Sequence, residues 1–200
     1  MKKILFIFAL SVSALTLNAQ LTRHGLVLNG GIGRVDSKLD KTDGKWTEFD
    51  YKAVFSAGYR LRFNQFAPKT FHYDFDVNIG TKRTKPTTYM ASDPYLTYTS
   101  SGGSFDHFTS ISGTANYAII KNLSLGLGVE PSYFFKKVPG TTNAVRKNKF
   151  DIPVVAKITY SLKVIEFEIS GKYGLVNVME VPNRTSGKYR ELQFALFIPF

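Results

Sequence analysis

The sequence predicts an all-β fold, an eight-stranded antiparallel up-and-down transmembrane β-barrel. Three observations predict it. Apolar and polar residues alternate with a period of two in segment after segment, as strands with one buried face require. The connections between these segments are short and long in strict turn. Beyond the N-terminus no apolar stretch approaches the ~20 residues that a spanning helix needs, so any membrane crossing must be made by strands.

The chain begins MKKILFIFALSVSALTLNAQ. Lys2 and Lys3 precede an apolar run, Ile4 to Leu17, and Asn18-Ala19 offers a cleavage point, which is the layout of a secretory signal peptide over residues 1–19. Residues 20–200 then form one domain. The formal net charge is +11, and +9 without Lys2 and Lys3. There is no Cys, so no disulfide and no lipoprotein anchor is expected despite export. Aromatic residues are abundant, with 17 Phe and 11 Tyr against one Trp.

The strands follow in order. Over 24–34, Leu26, Leu28 and Ile32 oppose Asn29 and glycines. Gly30, Gly31 and Gly33 are no phosphate cradle, because no helix follows; glycine here permits close packing. Over 49–63, Phe49, Tyr51, Phe55, Ala57, Tyr59, Leu61 and Phe63 share one face against Asp50, Lys52, Ser56, Gly58, Arg60 and Arg62. Over 71–79, Phe71, Tyr73, Phe75, Val77 and Ile79 alternate with His72, Asp74, Asp76 and Asn78. Residues 107–119 set Ile111, Ala115, Tyr117 and Ile119 against Ser110, Ser112, Thr114 and Asn116. Residues 123–131 set Leu123, Leu125, Leu127 and Val129 against Ser124, Gly126, Gly128 and Glu130. Three more strands are read at 150–160, 165–175 and 190–200, the last with Leu192, Phe194, Leu196, Ile198 and Phe200 opposite Glu191, Gln193 and Ala195.

Tight turns fall at 64–69, 121–122 and 161–163, and long loops near 35–47, 81–104, 137–149 and 177–188. Pro131 and Pro153 are expected at a rim or a bulge, since proline removes a ladder donor. Volume decides which face looks outward. The interior of an eight-stranded barrel is just wide enough for side chains to fill it. The apolar row is too bulky for that space, whereas the polar row of Gly, Ser, Thr and short acids fits. The apolar row therefore faces lipid and the charges line the lumen.

The closing stretch YRELQFALFIPF, the export signal and the loop alternation together resemble the small eight-stranded outer-membrane barrels of the OmpA/OmpX type. The chain is most similar to the Bacteroidota outer membrane protein β-barrel domain group, which includes PorT-like proteins. The resemblance implies an outer-membrane location with both termini in the periplasm and the long loops outside. It implies that Leu196, Ile198 and Phe200 form the signal read by the outer-membrane assembly machinery, with Pro199 a departure from the pattern. It also offers a role as accessory to a protein-export apparatus.

Several residue sets are candidates for function. Arg60, Arg62, His72, Asp74, Lys157, Glu166 and Glu168 map to one half of the lumen, as a gated path or, the preferred reading, a plug of paired charges. Asp74 and Asp76 lie about 7 Å apart on one strand face, without the third ligand a metal needs. His107 and Thr109 resemble the His-x-Ser pair of outer-membrane lipid A deacylases, but Thr replaces Ser and no matching acid is seen. The outer loops are basic: Lys82, Arg83 and Lys85; Lys136, Lys137, Arg146, Lys147 and Lys149; and Arg184 and Lys188. Export argues against nucleic acid as their partner, and lipopolysaccharide or another acidic surface polymer fits better. The expectation is a non-enzymatic outer-membrane barrel with no metal or cofactor. A lipid-modifying enzyme, an export accessory and a narrow pore are the alternatives.

Overall fold

The computed structural model describes residues 21–37, 45–64, 68–92, 95–100, 104–138, 145–146, 148–181 and 185–200. The expected signal peptide lies outside the described residues, as do Lys147 and Arg184. In chain order the strands are β1 (Leu21–Ser37), β2 (Lys45–Phe49), β3 (Lys52–Phe63), β4 (Phe71–Thr84), β5 (Pro86–Ser92), β6 (Tyr95–Ser100), β7 (Ser104–Ile120) and β8 (Leu123–Val129). They continue with β9 (Ser132–Val138), β10 (Val145–Arg146), β11 (Phe150–Asp151), β12 (Pro153–Ser161), β13 (Glu166–Gly174), β14 (Met179–Val181) and β15 (Thr185–Pro199).

Eight of these close a barrel in the order β1, β3, β4, β7, β8, β12, β13, β15, and β15 pairs back onto β1. All eight ladders are antiparallel. The expected eight-stranded up-and-down barrel is the observed one. Its tight turns lie at one end, where Asn64 and Lys69 take left-handed backbone at φ 66° and 60° to close the first.

The staves run further than the alternation alone indicates. β4 continues to Thr84 because Thr81 to Thr84 pair with Ser104 to His107 of β7. β9 prolongs β8, and β11 runs into β12 in the same register. Pro131 and Pro153 therefore interrupt continuous staves and do not mark their ends. The gap is bridged by Ile111 N–H donating to the Pro131 carbonyl at 3.0 Å and Glu130 N–H donating to the Pro153 carbonyl at 2.9 Å. The bulge in this stave lies higher, where the register shifts between His107 and Phe108. Segments read as loop carry a second, three-stranded sheet of β2, β5 and β6.

Parity decides the two faces. Leu28, Phe55, Ile79, Ile111, Leu127, Ile158, Ile169 and Phe194, one from each stave, keep 49–66% of their surface exposed. On the inward row Arg60, Arg62, Asp74, Lys157 and Glu166 keep at most 3%. The apolar belt circles the whole barrel. Phe49 is a correction: it is buried and not on the outer row, because the strand breaks at residues 50–51 and Phe49 belongs to β2, in the other sheet. Asp50 N–H there donates to the Lys85 carbonyl at 3.0 Å.

The β1–β15 seam closes the barrel and depends on small residues. On the inner side of β1, Gly31 faces Gln193. A Cβ built on Gly31 would lie 2.2 Å from the Leu192 carbonyl oxygen and 2.7 Å from the Gln193 Cα, both backbone atoms that cannot yield without moving the strand. At the end of the seam Phe200 N–H donates to the His24 carbonyl at 2.9 Å. The Phe200 ring meets His24 edge-on at 5.3 Å, and the Tyr59 hydroxyl lies 2.6 Å from His24 Nδ1. Leu196 and Ile198 share one parity of β15, Leu196 paired on both sides and Ile198 with β1 alone, and Phe200 follows just past the strand's end. Overpacking of this kind costs about 1–3 kcal/mol, so Gly31→Leu is expected to lower the temperature at which the folded gel band converts to the unfolded one. Gly171→Leu, a change on the open outer face, leaves that temperature near the wild-type value.

Candidate functional site in the barrel lumen

The staves carry two layers of ionised side chains into the lumen. The layer nearer the tight turns is the set the sequence pointed to. Arg62 grips Asp74 with both prongs, Nε to Oδ1 at 2.6 Å and Nη2 to Oδ2 at 3.1 Å, and its Nη1 reaches across to Glu166 at 2.6 Å. Arg60 holds Asp76 in the same way at 2.7 and 2.8 Å and reaches Glu168 at 3.1 Å. Lys157 Nζ lies 3.0 Å from Asp74 and 3.1 Å from Glu168. The bonds from β3 to β13 and from β12 to β4 join staves that share no ladder. They are struts across the lumen.

Forked Arg–carboxylate pairs are among the stronger hydrogen-bonded contacts, and here water is excluded from both sides. Four acids meet three buried cations, and Arg23 supplies a fourth at the rim, 3.6 Å from Glu166. His72 is buried in the same layer. Phe197, the inward neighbour of Leu196 and Ile198, is the floor: the Arg60 and Arg62 guanidinium carbons lie 5.1 and 5.3 Å from its ring centroid. Its parity with Ala195 and Gln193 was the available signal, which its bulk obscured.

The second layer lies toward the long loops. Lys172 Nζ is 2.5 Å from Glu130, which also accepts from Ser110 at 3.0 Å. Lys82 pairs with Glu191, which accepts from Gln193 Nε2 at 2.6 Å. Lys82 requires a correction. Read as part of a basic outer loop, it is 1% exposed inside the lumen, because β4 extends past it and even-numbered residues of that strand point inward. Its ammonium lies 4.6, 5.0 and 5.5 Å from the ring centroids of Phe108, Tyr189 and Phe134. These rings belong to an apolar cluster with Val35, Phe49, Val178 and Met179 that fills the lumen above the charges.

The other predicted site residues are dispersed. Arg83 faces outward over Phe105, Lys149 is exposed, and Lys85 lies between β4 and β5. Lys136 and Lys137 belong to β9, Arg146 to β10 and Lys188 to β15, so these too stand on strands. His107 stacks on Phe135 on the outer wall at 6.3 Å, while the Thr109 hydroxyl donates to the Asn78 carbonyl at 3.0 Å. Asp74 and Asp76 are each clasped by a guanidinium.

No protein-family model matches the chain, and no curated protein does. Among solved structures, the outer membrane protein OprG from Pseudomonas aeruginosa aligns with a TM-score of 0.52 at 12% identity, over 90% of this chain and 97% of its own. Neisserial surface protein A gives 0.48 at 10% identity, over 90% and 99%. Ail of Yersinia pestis, in complex with the heparin analogue sucrose octasulfate, gives 0.47 at 12% identity, over 90% and 100%. The likeness to OprG is one of fold: a closed barrel of antiparallel strands.

Removing one member of a buried pair strands the other charge, at about 3–5 kcal/mol. Lys82→Met is therefore expected to lower the thermal midpoint of unfolding markedly. Adding Glu191→Gln removes the stranded charge while keeping the Gln193 contact, and should restore most of the loss.

Proposed function

We propose that residues 1–19 export the chain and that it resides in an outer membrane as an integral barrel. There it works by its outer wall and exposed end, without catalysis. One observation carries this reading: exposed apolar side chains ring all eight staves while the ionised groups fill the lumen. In water such a belt far exceeds the few hundred Å² of apolar patch a monomer tolerates. In hydrocarbon the opposite facing would cost up to about 2–4 kcal/mol per Arg or Lys near the midplane. The tight turns then face the periplasm, and Leu196, Ile198 and Phe200 are offered to the assembly machinery before the seam closes.

On this orientation the long-loop end is extracellular. Lys85, Lys136, Lys137, Arg146 and Lys149 lie toward it, and we assign them, together with Lys147 and Arg184 of the same sequence segments, contact with lipopolysaccharide or another anionic surface polymer. A conducting pore is disfavoured by the struts from Arg60 and Arg62 and by the apolar fill above them. A lipid-modifying enzyme is disfavoured because the Thr109 hydroxyl is held by a backbone carbonyl and not by a base. The expected outcome is a detergent-purified protein whose gel mobility changes on boiling and which gives no stepwise conductance in planar bilayers. A freely soluble monomer overturns the membrane reading, and steady ion currents overturn the plug.

A further inference from the structure

The outer wall carries a polar cluster at the upper edge of its apolar belt. Arg34 of β1 and Arg190 of β15 are direct partners across the closing ladder, both outward, with side chains 38% and 52% exposed. Like charges placed opposite one another weaken a sheet. Asp36 relieves the pair, taking Arg34 Nε at 2.8 Å and Arg190 Nη2 at 2.9 Å. Aromatic rings flank the cations at the same level. Arg34 lies over Tyr51 at 4.8 Å, while Arg190 and Lys188 lie over Tyr173 at 5.7 and 5.8 Å.

Three cations against one acid leave an excess of positive charge, and Asp36 occupies only one nitrogen of each guanidinium. Each fork holds five N–H donors, so most are left for a further acceptor, and the planar fork suits a phosphate. Immediately below, the wall turns apolar at Ile32 and Leu192. Beside Leu192 the surface sinks: Gly171 pairs with both Leu192 and Ala156, and a shallow groove opens at Gly171 and Ala156 and extends round the wall over Ile158, Leu127 and Ala115. Nothing lies within 4 Å of where a Gly171 Cβ would stand.

We propose that Arg34, Arg190 and Lys188 bind the phosphate of an outer-leaflet lipid, one of whose acyl chains lies in the groove over Gly171 and Ala156. This rests on the membrane reading above, but it places the contact on the barrel wall at the seam, apart from the basic loops. Charge complementarity and an apolar groove that opens at Gly171, beside the Leu192 just below Arg190, select a phosphorylated lipid over a soluble polyanion.

The test uses the full-length mature barrel in detergent, titrated with fluorescent diphosphoryl lipid A. The variant R34Q/K188Q/R190Q should bind it at least about tenfold more weakly, the loss expected from a few charge-assisted hydrogen bonds. K121Q/K163Q, which removes two exposed cations at the tight-turn end, should bind as wild type. Inorganic phosphate at matched concentration should not displace the lipid. Gly171→Leu, which fills the groove and touches no cation, should weaken lipid binding with the barrel intact, and it answers the question alone if the triple variant fails to fold. Wild-type affinity in either the triple or the Gly171 variant overturns the site, and full displacement by phosphate overturns the lipid as its ligand. Loss of heat-dependent mobility in the wild type would instead overturn the membrane reading.

Discussion

Everything in this molecule depends on closing one backbone ladder. A strand edge left open in hydrocarbon strands a row of N–H and C=O groups at several kcal/mol each. The β15–β1 pairing removes the last edge. It also fixes two faces, because in a closed sheet successive side chains of a regular strand point alternately to the outer wall and to the lumen. Gly31 lets the two strands of that seam approach, and Phe200, His24 and Tyr59 fasten its end. The same seam brings Arg34 and Arg190 together on the outside.

Parity leaves the lumen with charges and very little room. The protein answers with struts, each guanidinium clasping a carboxylate on its neighbouring stave and reaching a second across the barrel. Buried ion pairs contribute little net stability against apolar packing, since desolvation opposes the attraction. Their value here is geometric. Arg62 can satisfy Asp74 and Glu166 together only when β3, β4 and β13 stand in the correct register, and a slip of one residue would turn all of these charges toward lipid. Above them the lumen changes character and is filled by Phe108, Phe134 and Tyr189 around Lys82. A charged layer and an aromatic layer thus follow one another along the lumen.

Much of this was legible in the residues. The fold class and the outward apolar row follow from alternation and loop lengths. Arg60, Arg62, Asp74, Lys157, Glu166 and Glu168 are found together because strand parity and a common distance from the tight turns suffice to place them. What could not be read had other causes. Lys82 sits in a run of charged and hydroxyl residues whose outward members, Thr81 and Arg83, are polar too, so the alternation that marks a strand fades there. Phe49 escapes because the strand breaks at residues 50–51 and the parity of β3 does not carry back across the gap. Phe197 and Tyr189 are large aromatic residues on an inward row, where bulk argues for the other face. The β2, β5 and β6 sheet is built largely from Thr, Ser and Tyr, whose pattern does not separate strand from loop.

The direct measurement is a lipid-quenching scan along β7, which the absence of native cysteine makes simple. Single cysteines from 110 to 117 would carry a fluorophore, in vesicles containing spin-labelled acyl chains. Positions 111, 113, 115 and 117 should be quenched and 110, 112, 114 and 116 protected, with a period of two. Uniform protection, or quenching on the even positions, would contradict a wall whose apolar residues face lipid.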